Sequence, residues 1–509
     1  MRVAYFYFGS PHLWKIAKQL ETKHGWKPVY WCSDISVKSD VEREFPGVTI
    51  QDTIKSRRAI HTNELEFSKP QPIDEELINA LSVDQLSAMK IFYRADTTGY
   101  MFSFNDIIEH YYEMMSYWLT VIKEKKIDLV VSWVCPHGVE YVLYSLCKHY
   151  GIPWLYIDSA YCITKGTHLI AATIENRAQL LEKKYLDPSI DLQPEPETLA
   201  QIEIQMSTYE IAKPDYMSFP EFFGEKGKWL KKISAFLREI AILMVQGPLK
   251  TSYIHFKFKV GPYRDEKTSG NHLQYLLFEK RMSRLGKRFK KIYLRYSTEA
   301  DLSKKYVFFA APFQPEATTL PDAGAYNYVP LILKMLSAEI PDDWEIFYKE
   351  HPATFDAVFG RDLYRSEDYY KTVAGISKVK MINYKTDTFH LIDHSQVVAT
   401  ATGTVGWESV VRGKPVFTFG EVWYNPCEGI FHIKSLADLK SALSKVTAGF
   451  KPTREKIIRF AGVVDKYCNK NFNYLNYSTR YHEIENIDEE MKKYGDYFYQ
   501  AYQMYHGNK

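Results

Sequence analysis

Apolar and polar positions fall into two alternating blocks separated by a stretch where the alternation is lost. In the first block, Val3-Ala4-Tyr5-Phe6-Tyr7-Phe8 reads as a buried strand over 2–8 that runs into the loop Gly9-Ser10-Pro11-His12. A helix over 13–23 and a strand over 28–32 follow, the strand–helix–strand opening of a doubly wound sheet. Residues 73–125 carry a largely helical period. Apolar runs over 127–133 and 153–158, with a helical stretch over 138–150 between them, continue the sheet. Alternation stops from about residue 196 to 305. It resumes with strands expected over 306–311, 345–349, 379–382, 396–400 and 415–419, and helices over 324–338, 387–393, 404–412 and 435–446. From 453 to the end the pattern is helical and rich in Tyr and Phe. Ligands of open α/β sheets gather at the carboxyl ends of strands. That rule singles out His12, His137, Glu140 and Asp158 in the first block.

Length changes this picture only by excluding a single core: 509 residues call for at least two domains. The pattern divides them into 1–195, a basic and largely helical insertion over 196–305, 306–450, and C-terminal helices over 451–509 that are expected to fold back on the first domain. An apolar fraction of 46% and a charged fraction of 25% are those of an ordinary soluble chain. The 39 tyrosines suit sugar faces, although filling large cores is their commoner use. Six scattered cysteines without metal spacing indicate reduced, buried thiols. The first residues lack a signal-peptide pattern, and no apolar run approaches a membrane span. A cytoplasmic protein is therefore expected, at most peripheral on the inner face of the membrane.

Charge is unevenly spread. Residues 226–305 hold 20 lysines and arginines against six acidic residues, in a chain whose net charge is +3. Around Lys231, Lys232 and Arg238 the basic residues are mixed with Trp, Phe, Leu and Ile, a composition suited to an anionic membrane surface. A solvated basic face explains it equally well. No nucleic-acid-binding module accompanies the charge, so nucleic acid is not an expected partner.

The densest chemistry lies between 349 and 424. Lys349-Glu350-His351-Pro352 closes a strand. Ala401-Thr402-Gly403-Thr404-Val405-Gly406-Trp407-Glu408 makes a small-residue turn that opens a helix, and Gly413-Lys414-Pro415-Val416 returns to a strand. N–H groups at a helix start bind phosphate, and an imidazole adds a further donor. The hydroxyls of Thr402 and Thr404 are placed to cap the helix or reach phosphate. A carboxylate one turn in, Glu408, is placed to accept from ribose hydroxyls. Together these residues indicate a nucleotide-sugar site. Gln314 and Glu316 follow the first strand of the same block and are expected to face the cleft; Phe313, Pro315 and Tyr384 fit base-pocket walls and core packing equally well.

This stretch, with Phe313-Gln314-Pro315-Glu316-Ala317-Thr318-Thr319 and Phe419-Gly420-Glu421-Val422-Trp423-Tyr424, resembles the C-terminal half of GT-B glycosyltransferases of the bacterial capsular polysaccharide biosynthesis family, relatives of Kdo and sialic-acid-type transferases. The resemblance implies an α/β GT-B fold of two Rossmann-like domains across a cleft. It implies a CMP-linked ulosonic acid (Kdo, sialic, legionaminic or pseudaminic type) moved to a glycan or lipid-linked acceptor, with no cofactor beyond the donor. His351 would donate to the donor phosphate, with Lys349, Glu350 and Pro352 around it. The catalytic group would come from the first domain, where Asp158 and Glu140 are the foremost candidates and His137 follows; Ser10 and His12 would face the acceptor. No Asp-x-Asp pair ends a strand, so no essential metal is expected. A CDP-polyol phosphotransferase, a UDP-sugar enzyme such as a 2-epimerase, and a non-catalytic capsule assembly or export protein are the alternatives.

Overall fold

The computed structural model describes residues 1–53, 70–95, 103–138, 140–160, 168–190, 192–207, 272–314, 318–355, 365–468 and 487–506. Most of the basic stretch over 226–305, with Lys231, Lys232 and Arg238, lies outside them, as do Pro315, Glu316 and Ala317.

The first sheet has six strands: β1 (Arg2–Phe6), β2 (Lys27–Ser33), β3 (Thr49–Asp52), β4 (Leu129–Ser132), β5 (Trp154–Ser159) and β6 (His168–Ala171). Their order is β3-β2-β1-β4-β5-β6, parallel except for the β5–β6 pair. The second has seven: β7 (Ser297–Thr298), β8 (Lys305–Ala310), β9 (Trp344–Lys349), β10 (Val379–Ile382), β11 (Val397–Thr400), β12 (Val416–Thr418) and β13 (Ile430–His432), in the order β13-β12-β11-β8-β9-β10-β7. The expected α/β class with two Rossmann-like sheets is what the chain forms.

Both sheets reverse direction of winding once. In the first the chain runs outward from β1 through β2 to β3, then crosses to β4. In the second it runs outward from β8 through β9 to β10, then crosses to β11. The loops that part at each reversal leave an open crevice, the usual ligand site of such sheets. β1 meets β4 in the register Val3↔Leu129 to Phe6↔Ser132, and β8 meets β11 from Val307↔Val397 to Phe309↔Ala399.

Strands covered on both faces must be apolar throughout, and β4 and β8 are buried along nearly all their length. Local signals set the flanking helices. Ser10 caps the helix Pro11–His24 with Pro at its start, and Gly25, at φ 68°, ends it. Trp407 of the helix Val405–Val411 packs among Trp423 and Phe460 and donates to Gln205 Oε1 at 3.0 Å. The helix Ile487–His506 lies along Pro11–His24, with Gln19 donating to Asp496 at 2.7 Å and Tyr499 stacked on His24 at 3.4 Å.

Several expected elements are shorter than the pattern indicated. The helix expected over 138–150 is Tyr141–His149, and the one over 404–412 is Val405–Val411. The stretch 324–338 splits into a 3₁₀ turn, Gly324–Asn327, and a helix, Val329–Glu339, because Pro330 suits only a first helical turn. The short strands β3, β6, β7 and β13 have no periodic run long enough to mark them in the sequence.

Candidate active site

In the second sheet, β9 delivers Lys349 to the carboxyl edge, where it is almost wholly buried and donates to Thr388 Oγ1 at 2.5 Å. Burial lowers its ammonium pKa to about 8, against the attraction of Asp387 and Glu408. Burial likewise lowers His351 to about 4; Lys349 and Arg365 add to the shift and Glu350 opposes it. At neutral pH its imidazole is therefore uncharged and offers one N–H. The Phe313 ring, on the loop after β8, stands 5.6 Å from the His351 ring. Pro352 is exposed and opens the 3₁₀ turn Pro352–Phe355.

Glu350 points elsewhere. It is fully buried and takes Arg365 on both oxygens, at 2.6 and 3.1 Å, with the Tyr348 and Tyr370 hydroxyls each at 3.1 Å. Its carboxylate pins the loop that carries His351. A buried pair of this kind costs about 3–5 kcal/mol to break by removing one member.

The turn after β11 faces the same edge. Gly403 N–H donates to Thr400 Oγ1 at 3.1 Å, and the Tyr424 hydroxyl donates to Gly403 O. A Cβ at Gly403 would stand 2.8 Å from Thr400 Oγ1, so the close turn requires glycine there. Thr404 does not cap the helix as its type suggests; its hydroxyl donates to Glu408 Oε1 at 3.1 Å instead. Burial raises the Glu408 carboxyl pKa, while Thr404 and Lys349 pull it down. Lys349 and Glu408 therefore feel each other's charge, which joins the β9 and β11 ends into one site. Thr402 turns its methyl toward Gly420, where a Cβ would come within 2.5 Å. Gln314 is buried on the loop after β8.

In the first sheet the residues from β1 and β4 meet across the winding reversal. Tyr7, directly after β1, holds a left-handed backbone at φ 64°, and its hydroxyl donates to Glu140 Oε2 at 3.1 Å. Gly138 N–H donates to Glu140 Oε1 at 3.1 Å. A non-glycine residue in that conformation is uncommon and marks a constrained site. Asp158, at the end of β5, receives Arg177 on both oxygens, one at 2.7 Å. Arg177 also binds Asp322, on the loop after β8, and His137 Nε2 lies 3.0 Å from the other oxygen of Asp322. These contacts join the two domains directly. Ser10 spends its hydroxyl on the helix cap, and His12 lies within electrostatic reach of Asp488 at the start of the C-terminal helix.

The structure thus gathers Lys349, His351, Thr402–Thr404 and Glu408 at one edge, and Glu140, Asp158 and His137 at the other. Arg177, Asp322, Tyr7 and Arg365 also belong to these clusters and escaped the sequence reading. Asp322 follows Leu320-Pro321, an ordinary loop dipeptide, and Arg177 has no motif around it. The five described cysteines are buried and none of them is in a disulfide.

Residues 291–456 match the family of capsule polysaccharide biosynthesis proteins. The matched segment takes in both parts of the second-sheet site and bears out the resemblance seen in the sequence. No curated protein matches the chain. Among solved structures, KpsC of Thermosulfurimonas dismutans, a β-Kdo 2,4-transferase, is 11% identical, with 66% of this chain and 79% of that chain covered and a TM-score of 0.30. A β-Kdo 2,7-transferase of the same organism is 17% identical over 38% of this chain and 67% of that one, with a TM-score of 0.21. The UDP-GlcNAc 2-epimerase of Neisseria meningitidis is 11% identical over 98% and 100%, also with a TM-score of 0.21.

Proposed function

We propose that this chain is a glycosyltransferase that moves an ulosonic acid from a CMP donor to a capsule or other surface glycan. One observation carries the reading: Lys349, His351 and the 402–408 turn converge beside the winding reversal of the second sheet, within the family-matched segment. A buried cation and an uncharged imidazole N–H are fixed donors for a phosphate whose charge grows as the glycosidic bond breaks. The same donors, with the Thr402 and Thr404 hydroxyls, answer the sugar carboxylate. Glu408, with acceptor capacity beyond the Thr404 hydroxyl, is the partner for a ribose diol. With Lys349 and His351 taking the phosphate charge, Mg²⁺ or Mn²⁺ has no required place on the donor.

The acceptor is activated from the first domain. Glu140 is the base in this reading, because its partners are neutral, whereas the Asp158 charge is paired with Arg177 and His137 Nε2 is engaged by Asp322. Tyr7 and the Gly138 N–H hold Glu140 in place. A lipid-linked acceptor would place the protein at the cytoplasmic membrane face, with the basic stretch over 226–305 as the contact. Among the described residues, no helix is long and apolar enough to cross a membrane.

Thermal shift with CMP, CDP, UDP and GDP at equal concentration tests the donor side, since a ligand of the native state raises stability by mass action. CMP alone is expected to stabilise the protein, and His351→Ala to abolish the effect. Preference for UDP or CDP would move the reading to a UDP-sugar enzyme or a polyol-phosphate transferase. No response to any of the four would sink it.

A further inference from the structure

Cys135, His137 and Asp322 come together at the domain junction with their donor atoms within 4.8 Å of one another. We infer that they form a zinc site, with ligands drawn from both domains. The inference is independent of the transfer reading.

Two ligands come from the loop after β4. There Ser132 Oγ donates to Val134 O at 2.7 Å and His137 N–H donates to Cys135 O at 2.7 Å, a tight turn through Pro136 that sets Cys135 Sγ 3.0 Å from His137 Nε2. The third comes from the loop after β8, with Asp322 Oδ1 3.0 Å from the same Nε2. Arg94 ties the two loops together, donating to Leu320 O at 2.6 Å and to His137 O. Arg177 holds the other oxygen of Asp322 and so aims Oδ1 at the imidazole, the support that ligand carboxylates in metal sites receive.

A tetrahedral zinc places N and O ligands about 3.3 Å apart and S and N ligands about 3.6 Å apart, from the usual bond lengths. The two 3.0 Å separations would open by about 0.3 and 0.6 Å, and Cys135 Sγ and Asp322 Oδ1, within 4.8 Å of each other, would settle at about 3.6 Å. Thiolate, imidazole and carboxylate together suit zinc rather than magnesium or calcium. On zinc binding the Cys135 S–H bond breaks, its proton goes to solvent and its electron pair forms the S–Zn bond. The His137 side chain keeps 19% of its surface exposed, so water can take the fourth position.

Elemental analysis of the full chain purified after zinc-supplemented expression, and Co²⁺ titration followed in the visible and near-ultraviolet, test the site. One zinc per chain is expected. Cobalt should give a thiolate-to-metal charge-transfer band that zinc displaces. Cys135→Ser should remove that band, and His137→Gln should weaken zinc binding by at least about tenfold, since even outer partners of a metal set carry that much. Circular dichroism of each variant separates ligand loss from unfolding. Sub-stoichiometric zinc in the wild-type chain, or a charge-transfer band that survives in folded Cys135→Ser, would overturn the proposal.

Discussion

Burial brings the Lys349 ammonium from an ordinary lysine's range down to about 8, so its charge is lost within reach of physiological pH. An anion bound beside it favours the charged form. Nucleotide affinity is therefore expected at its full value below about pH 8. It should fall as pH rises past that point, by up to about tenfold per unit until the bound-state pKa is reached. His351, at about 4, adds no titration between pH 6 and 8. Isothermal calorimetry with CMP from pH 7.5 to 9.5, above the second pKa of a phosphate monoester at about 6, measures this, and in Lys349→Met the affinity over that range should be weak and flat. A wild-type profile equally flat would remove Lys349 from the phosphate site. Lys349 and His351 were legible because strand period, a Pro stop and the 402–408 turn place them at a sheet edge. The inward turn of Glu350 was not, since nothing in Lys349-Glu350-His351-Pro352 announces Arg365, fifteen residues on.

At the scale of elements, the site depends on how closely the helix Val405–Val411 approaches the segment around Tyr424. Gly406 permits that approach: a Cβ there would collide with the Tyr424 hydroxyl and stand 2.8 Å from Cε2. The same hydroxyl donates to Gly403 O and fixes the turn. Gly406→Ala must displace the ring or the helix start, at a cost of about 1–3 kcal/mol for an overpacked contact. Urea denaturation should show that loss, and CMP binding should weaken with it. Tyr424→Phe, which removes the bond without the clash, should cost about 1 kcal/mol. If Gly406→Ala were as stable as the wild type and bound CMP equally well, the turn would not be held by this contact. The small-residue run Ala401-Thr402-Gly403-Thr404-Val405-Gly406 was visible in the sequence and pointed to the turn. Of the two roles open to the Thr404 hydroxyl, capping is not taken, because a hydroxyl at a helix start has competing partners, and Glu408, one turn on, is the one it reaches.

At the scale of the molecule, the two sheets are joined by a guanidinium. Arg177 lies in the first domain and binds Asp158 beside it and Asp322 across the junction, 145 residues away in sequence. No periodicity or motif records a contact of that span, which is why the winding of both sheets could be anticipated and their junction could not. All three side chains are nearly or fully buried. Removing the shared cation leaves the buried Asp158 carboxylate without its charged partner. Arg177→Met is therefore expected to cost about 3–5 kcal/mol, the usual result of breaking a buried pair from one side. Because the loss falls between domains, denaturation should broaden or split into two transitions, and the radius of gyration from solution scattering should rise. Asp158→Asn in the same variant removes that unpaired charge, leaves Asp322 its place beside His137, and should recover much of the stability, since most of the cost is desolvated charge rather than lost attraction. If Arg177→Met unfolded in one transition at the wild-type midpoint, the junction would be held by its apolar contacts, and Arg177 would be a passenger in it.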